Sequence, residues 1–340
     1  MYLLTTLFFL ASAVFADTEC PNVVAFGDRR KDKNTLRIAQ YNVEWLYIDY
    51  YASADCPGNG CPWHNQDEAQ THLNYVVQVL KDLDPDIINL CEVEGCDELT
   101  MVKNKLNDTT YNPYLKKGTD SATGQNVGML TRVDPLVSLY RSEEKVAYPL
   151  ANSKCGNTTA SGTSGVSKHY ITEFYFGNMN VALIGAHLLA IPTDPSRCVQ
   201  REAQAQVLQN IVSSYINKNY EIILLGDMND FDAEVLDINS DKPISRVLDI
   251  LKGLDGEKKG SYQLTNVAYR VSQKQRYSDW WDSDNDCETS SQKDYSMIDH
   301  ILVTPKIDKT IVNAYMFHGY NIYCGTWNSD HYPVIIDLQF

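Results

Sequence analysis

The stretch whose reading decides the fold is Ile222-Ile223-Leu224-Leu225-Gly226-Asp227-Met228-Asn229-Asp230. Four consecutive apolar residues closed by a glycine make a run short enough to be a strand buried on both faces. Such a strand delivers Asp227 and Asn229 side by side at its C-terminal edge, where α/β sheets usually place their chemistry. Residues two apart in extended chain point the same way, so the carboxylate and the amide face one pocket. There the acid can take a proton from a water that the amide orients. An Asp-x-Asn after a strand also serves as a turn that caps its own backbone. The surrounding chain has to separate these two readings.

Upstream, Arg197 to Ile216 carries Ala203, Val207, Leu208, Ile211 and Val212 on one side, which predicts a helix leading into that strand. Before it, His169 to Phe176 and Asn180 to Ala186 read as a hairpin around Gly177-Asn178, its second strand ending at His187. A lone histidine in that position suits a structural role as well as a catalytic one. Asn152 to Lys168, rich in Ser, Thr, Gly and Asn, reads as a mobile loop, and Gln125 to Leu130 as a strand. Nearer the N-terminus, Leu36 to Val43 reads as a strand ending at Asn42 and Glu44. Gln66 to Leu83 keeps helical spacing until Asp84-Pro85-Asp86 stops it, and Ile87 to Cys91 is a second buried strand ending at Glu92. This β-α-β unit sets Asn42 and Glu92 at matching strand ends. A carboxylate with a second acid or amide beside it suits Mg²⁺, which takes one or two carboxylates and keeps its waters.

Downstream, residues 243–254 suggest a short helix and residues 255–296 are polar. Within the polar stretch, Trp280-Trp281 reads either as a loop folded onto the core or as a wall on which a base or lipid group stacks. Ser296 to Val303 is a strand carrying Asp299-His300 in its middle, and a buried acid there needs a histidine or a metal site as partner. The last strand, Pro333 to Leu338, follows Asn328-Ser329-Asp330-His331. No internal repeat or linker interrupts the chain, so residues 17–340 read as one domain.

Residues 1–16 form an apolar run ending Val14-Phe15-Ala16, which predicts a secretory signal peptide cut before Asp17. Nine cysteines agree with an extracellular, oxidising compartment; Cys56 and Cys61 suggest a local bridge, and Cys91, inside an apolar run, is the expected free thiol. Asn107 and Asn157 open possible glycosylation sequons. The formal net charge of −15 gives no general attraction for phosphate polymers, yet carboxylates that hold a divalent cation are counted in it.

Six motifs in order resemble the endonuclease/exonuclease/phosphatase superfamily of deoxyribonuclease I: Tyr41-Asn42, Cys91-Glu92-Val93, Gly185-Ala186-His187, Gly226-Asp227-Met228-Asn229, Ile298-Asp299-His300 and Ser329-Asp330-His331-Tyr332-Pro333. The resemblance spans about residues 35–340. It implies a four-layered α/β sandwich of two packed mixed β-sheets flanked by helices, with the site at one end. It implies that Glu92 binds a catalytic Mg²⁺ (Mn²⁺ in its place) with Asn42 and Asp330 near it. Asp227 would activate or position the attacking water, and Asn229 would hold it or a phosphate oxygen. His187 and His331 would bind the phosphate, with Asp299 orienting His331. Asn126 is the residue expected to reach the phosphate from its strand, and no acidic residue beside it is available to pair with His187.

His187 fits the deoxyribonuclease and sphingomyelinase branches and speaks against abasic-site endonucleases, while Tyr277 to Trp281 resembles the aromatic wall of those repair enzymes. Asn229-Asp230-Phe231 and Ile298-Asp299-His300 depart from the inositol-phosphatase pattern. The leading expectation is a secreted, monomeric, metal-dependent phosphodiesterase with nucleic acid as substrate and no stable protein partner. A sphingomyelinase-type enzyme acting on a lipid headgroup is the alternative, and a binding module without activity is a third reading.

Overall fold

The computed structural model describes residues 19–20, 26–48, 56, 61–156, 158–287, 292–320 and 328–340. The predicted signal peptide and the sequon residue Asn157 lie outside the described residues. In chain order the elements are β1 (Thr35–Leu46), α1 (Gln66–Leu83), β2 (Ile87–Val93), α2 (Cys96–Leu106), β3 (Asn112–Leu115) and β4 (Asn126–Thr131). Next come β5 (Val146–Tyr148), β6 (Gly162–Ser164), β7 (Lys168–Phe176), β8 (Met179–His187), α3 (Pro195–Ile216), β9 (Glu221–Asp227) and α4 (Val247–Leu251). The chain ends through β10 (Thr265–Asn266), β11 (Asp279–Trp280), β12 (Tyr295–Ser296), β13 (Asp299–Val303), α5 (Pro305–Asp308), β14 (Ile311–Met316) and β15 (Val334–Gln339).

Two larger sheets form the frame, in the orders β14-β15-β1-β2-β4-β3 and β10-β13-β9-β8-β7. Each is mixed: β1 runs parallel to β2 and β8 parallel to β9, and the other neighbours are antiparallel. One apolar cluster joins Leu36, Ile38, Ile87 and Met129 of the first sheet to Phe174, Leu183, Ile223, Leu225 and Ile301 of the second, so the sheets pack face to face. A second cluster packs Leu73, Val76 and Leu80 of α1 and Leu99 of α2 on the outer face of the first sheet, through Ala39, Tyr41, Ile88 and Leu90. A third packs α3 and α4 on the other outer face, through Ile184, Ile222 and Leu224. The result is helix, sheet, sheet, helix, the architecture implied by the motif resemblance.

Capping residues explain the long helices. Asn65 accepts from Glu68 N at the start of α1, which ends on left-handed Asp84 before Pro85. Asp194 caps α3 ahead of Pro195. The expected mobile loop, Asn152 to Lys168, is corrected: β6 pairs within it to β5, Cys155 is bridged to Cys198 of α3, and Lys168 opens β7. Low apolar content hid a segment held by a covalent tie. Helix α2 has no counterpart in the sequence reading. Its N-terminal Cys96 is bridged to Cys20, and Leu99 and Val102 alone form too short an apolar stripe to announce it. Cys56–Cys61 forms as expected, and Cys91 is free and buried. No helix among the described residues is long and apolar enough to cross a membrane.

Candidate active site

The site follows from strand alternation inside the sandwich. On β1 the inward positions run Leu36, Ile38, Gln40, Asn42; on β9 they run Ile223, Leu225, Asp227; on β13 they run Val303, Ile301, Asp299. On β8, Val181 and Leu183 are followed by Gly185 and His187 on the same face. Every one of these strands is apolar through the middle of the sandwich and turns polar at one end, and these are matching ends. The inter-sheet core therefore opens into a polar floor made by both sheets.

Backbone irregularities complete that floor. Strict alternation would send Glu92 to the outer face with Ile88 and Leu90. The β1–β2 and β2–β4 registers shift at this point, and Glu92 takes a left-handed φ of 66° that re-aims its carboxylate. Glu44, Trp45 and Asn229 are left-handed as well, a concentration of backbone strain around one pocket. Gly226, with φ 155°, lets β9 lie against β8, since a Cβ there would meet Ala186 O at 1.8 Å.

Asn42 is the hub. Its Nδ2 donates to Glu92 Oε1 (3.1 Å) and Asp227 Oδ2 (3.1 Å), and it lies 3.3 Å from His331 Nε2. His187 Nε2 is 3.5 Å from Asp227 Oδ2 and 4.0 Å from Glu92 Oε1. His331 Nδ1 meets Asp299 Oδ2 at 2.7 Å, and the other Asp299 oxygen accepts from Gln40 Nε2 at 3.0 Å. Asp227 serves both purposes open to an Asp-x-Asn: Oδ1 accepts from the Asn229 backbone N–H (2.9 Å) while Oδ2 faces Asn42 and His187. Seven residues singled out from sequence (Asn42, Glu92, His187, Asp227, Asn229, Asp299 and His331) thus converge, and Asp330 lies beside His331, Oδ1 to Nε2 3.7 Å.

A family model described as Endonuclease/Exonuclease/phosphatase family matches residues 39–331. The chain belongs to that family. Among solved structures, a 3'-5' exonuclease (NExo) from Neisseria meningitidis is similar over 90% of this chain and 100% of its own, at 16% identity and TM-score 0.58. A variant of the 3' phosphatase NExo from Neisseria, bound to a product DNA hairpin, gives 15% identity, the same coverages and TM-score 0.57. An AP endonuclease from Archaeoglobus fulgidus gives 13% identity, coverage of 88% and 98%, and TM-score 0.52. At these identities the likeness is one of fold. No curated protein sequence matches the chain.

In this member of the endonuclease/exonuclease/phosphatase family the electrostatics are strongly polarised. Burial, and then Asp299, hold Asp227 well above the usual carboxylate range. Burial followed by Asp330 and Glu92 does the same to Glu44, whose Oε2 accepts the Asp330 backbone N–H at 3.0 Å. Burial also raises Asp330, where His331 opposes Asp279 and Glu92. Burial works against charge on His331, but Asp299, Asp330 and Asp279 hold its imidazole well above the ordinary value. His187 goes the other way: burial, then Lys168 and His331, press it well below. Among the described residues, Asp227, Asp299 and His331, and likewise Asp279, Asp330 and His331, offer ligand atoms within 4.8 Å of one another. Glu44 and Glu92 crowd Asp330 on the same floor. These carboxylates are the hard oxygen donors a divalent ion takes, so the residues fit one.

Of the three expected substrate contacts, Asn126 and Trp280 are turned away from the site and Trp281 is left exposed at its rim. Asn126 shares its parity with Gly128 and Leu130, on the outward side of β4, and its amide is spent on the backbone: Gly118 N, Glu94 O and Gly124 O. Gln125, one residue earlier, has the parity of inward Val127 and Met129 and is the side chain that faces the site. Trp280 is 7% exposed and packs with Tyr332, Tyr277, Tyr295 and Tyr320, so it is core. Trp281 is 71% exposed, two residues past Asp279, which bridges to His331 at the rim. The pair divides between the two readings its sequence allowed, because adjacent strand residues face opposite ways.

The sequence reading missed Glu44, Asp279 and Lys168 as site residues. Glu44 stands two residues beyond Asn42, a spacing that could have flagged it. Asp279 Oδ1 lies 3.6 Å from His331 Nε2 and carried no local signal. Lys168 Nζ lies 3.4 Å from His187 Nε2, placed there by the hairpin register that pairs the two residues.

Proposed function

We propose that this chain is a secreted, divalent-metal-dependent phosphodiesterase and that its substrate is extracellular nucleic acid. The observation that carries the reading is the convergence of Asn42, Glu92, His187, Asp227, Asn229, Asp299 and His331 on one polar floor between the sheets. The product DNA bound to the Neisseria phosphatase supports nucleic acid as the substrate class.

Glu92, Glu44, Asp330 and Asn42 would hold the cation, Mg²⁺ or Mn²⁺, which when bound supplies Lewis-acid stabilisation of phosphate charge. Asp227, its basicity raised by burial and by Asp299, takes the proton of a water directed at phosphorus. Asn229, fastened through Nδ2 to Leu188 O at 3.2 Å, stands beside it as the orienting amide. His331, held charged and aimed by Asp299, presents Nε2–H to a phosphate oxygen and counters the charge that grows in the transition state. His187, kept neutral, adds a hydrogen bond rather than a charge.

The test is nicking of supercoiled plasmid by the purified protein with Mg²⁺, beside His331→Ala and beside sphingomyelin vesicles. Nicking that stops on chelation and in the variant supports the reading. Phosphocholine release without nicking would move the substrate to lipid. Silence in both assays would overturn the enzymatic reading.

A further inference from the structure

Five lysines and arginines are buried among the described residues: Arg30, Lys168, Arg201, Arg246 and Lys252. Four have a carboxylate: Arg30 has Asp28, Arg201 has Asp230, Arg246 has Glu202, and Lys252 has Asp232 and Glu234. Lys168 has none within 4.0 Å among the described residues; its Nζ touches Gln125 Oε1 (3.0 Å) and His187 Nε2 (3.4 Å), neither of them a carboxylate. A buried ammonium is costly without a counter-charge. It is also placed by strand parity, sharing the inward face of Tyr170 and Phe174 at the polar end of the sandwich. From there its Nζ reaches His187 Nε2, the same nitrogen that faces Asp227 Oδ2 (3.5 Å) and Glu92 Oε1 (4.0 Å), which sets the ammonium beside the reacting groups.

We propose that Lys168 is a second phosphate-binding cation of this site beside His331, its counter-ion being a non-bridging oxygen of the substrate phosphate. The inference rests on the phosphodiesterase reading and adds a residue to it. Water attacks phosphorus, its proton passing to Asp227, the P–O bond to the leaving group breaks with the leaving oxygen taking a proton from solvent, and negative charge gathers meanwhile on the equatorial oxygens. Lys168 Nζ donates to one of those oxygens and balances that charge. Gln125 accepts one of its hydrogen bonds and fixes its direction without neutralising it, which an acid in that position would do.

The experiment compares Lys168→Met and Lys168→Arg with the wild-type protein, all with Mg²⁺. It reads kcat and KM on plasmid DNA, thermal unfolding, and the affinity for inorganic phosphate by calorimetry. Lys168→Met should lose on the order of 10²-fold in kcat, as removal of a preorganised transition-state donor does. It should bind phosphate roughly tenfold more weakly or worse, and unfold at the same or a higher temperature because an unpaired buried charge is gone. Lys168→Arg should recover part of both losses. Unchanged phosphate affinity in Lys168→Met, or a lowered unfolding temperature with kcat retained, would make Lys168 a structural residue and overturn the proposal. If the wild type cleaves no phosphodiester, the phosphodiesterase reading fails on its own, and the phosphate titration and the unfolding shift still decide the role of Lys168.

Discussion

Asp299 Oδ2 and His331 Nδ1 lie 2.7 Å apart although one residue opens β13 of the five-stranded sheet and the other precedes β15 of the six-stranded sheet. The pair therefore exists only because the two sheets pack. Gln40 of β1 fixes the second Asp299 oxygen, and Ser278 Oγ accepts the Asp299 backbone N–H. Asp299→Asn should preserve the fold and lower kcat by roughly 10²–10⁴, the range of a positioned acid–base group. Steady-state cleavage kinetics and circular dichroism on the same preparation check this; activity close to that of wild type would remove Asp299 from the mechanism.

Arg201 is fully buried and clasps two functional loops. It donates to Asp230 Oδ2 (3.1 Å), just past Asn229, and to the carbonyls of Leu189, Ala190, Ile191 and Pro192, just past His187. Arg201→Met leaves Asp230 buried with its charge uncompensated, at a cost of about 3–5 kcal/mol. Urea unfolding should show the loss, and a midpoint shift equivalent to less than about 1 kcal/mol would contradict the clasp.

The tryptophan pair makes a built-in contrast. Trp280→Ala should cost about 3–5 kcal/mol of stability, as for a large core side chain. Trp281→Ala should stay within about 0.5 kcal/mol of wild type and raise KM for nucleic acid by the loss of one stacking contact, about 1–3 kcal/mol. Parallel melting curves and KM values test both, and equal destabilisation by the two variants would refute the assignment of faces.

His169 sets a pH dependence. Burial, then Arg141, lowers it to about 4, and its neutral form is built in: Nε2 accepts from Ser142 N–H at 3.0 Å while Nδ1 meets Val166 O at 2.7 Å. The unfolded chain takes up this proton near pH 6.5 and the folded chain does not. The associated stability is therefore complete above about pH 6.5 and is lost progressively as pH falls towards about 4, by about 3 kcal/mol. Unfolding free energies between about pH 7 and about pH 4.5 should show a steeper fall for wild type than for His169→Gln; parallel curves would exclude His169 as the cause.

Much of this was legible because periodicity is local. The apolar runs at Ile87, Ile222 and Ile301 and the helical spacing from Gln66 and from Arg197 locate most of the main strands and helices. The acids and amides at strand ends, Asn42, Asp227, Asn229 and Asp299, could be picked out for the same reason, since a strand that is apolar until its last inward position announces that position. Long-range partners were not legible. Sequence favours Asn126 over Gln125 because nothing in so short a segment reveals which parity of β4 faces the second sheet.

By itself, then, the sequence determined the alternation, the long helices, the candidate catalytic groups and their order along the chain. Tertiary structure decided which way each group points. The left-handed backbone at Glu92 turns an outward residue inward, the β7–β8 register sets Lys168 against His187, and the closure of one sheet on the other joins Asp299 to His331. Each of these depends on contacts between residues far apart in the chain, and a bulge or a sheet interface is chosen by the packing energy of the whole sandwich rather than by the preferences of neighbouring residues.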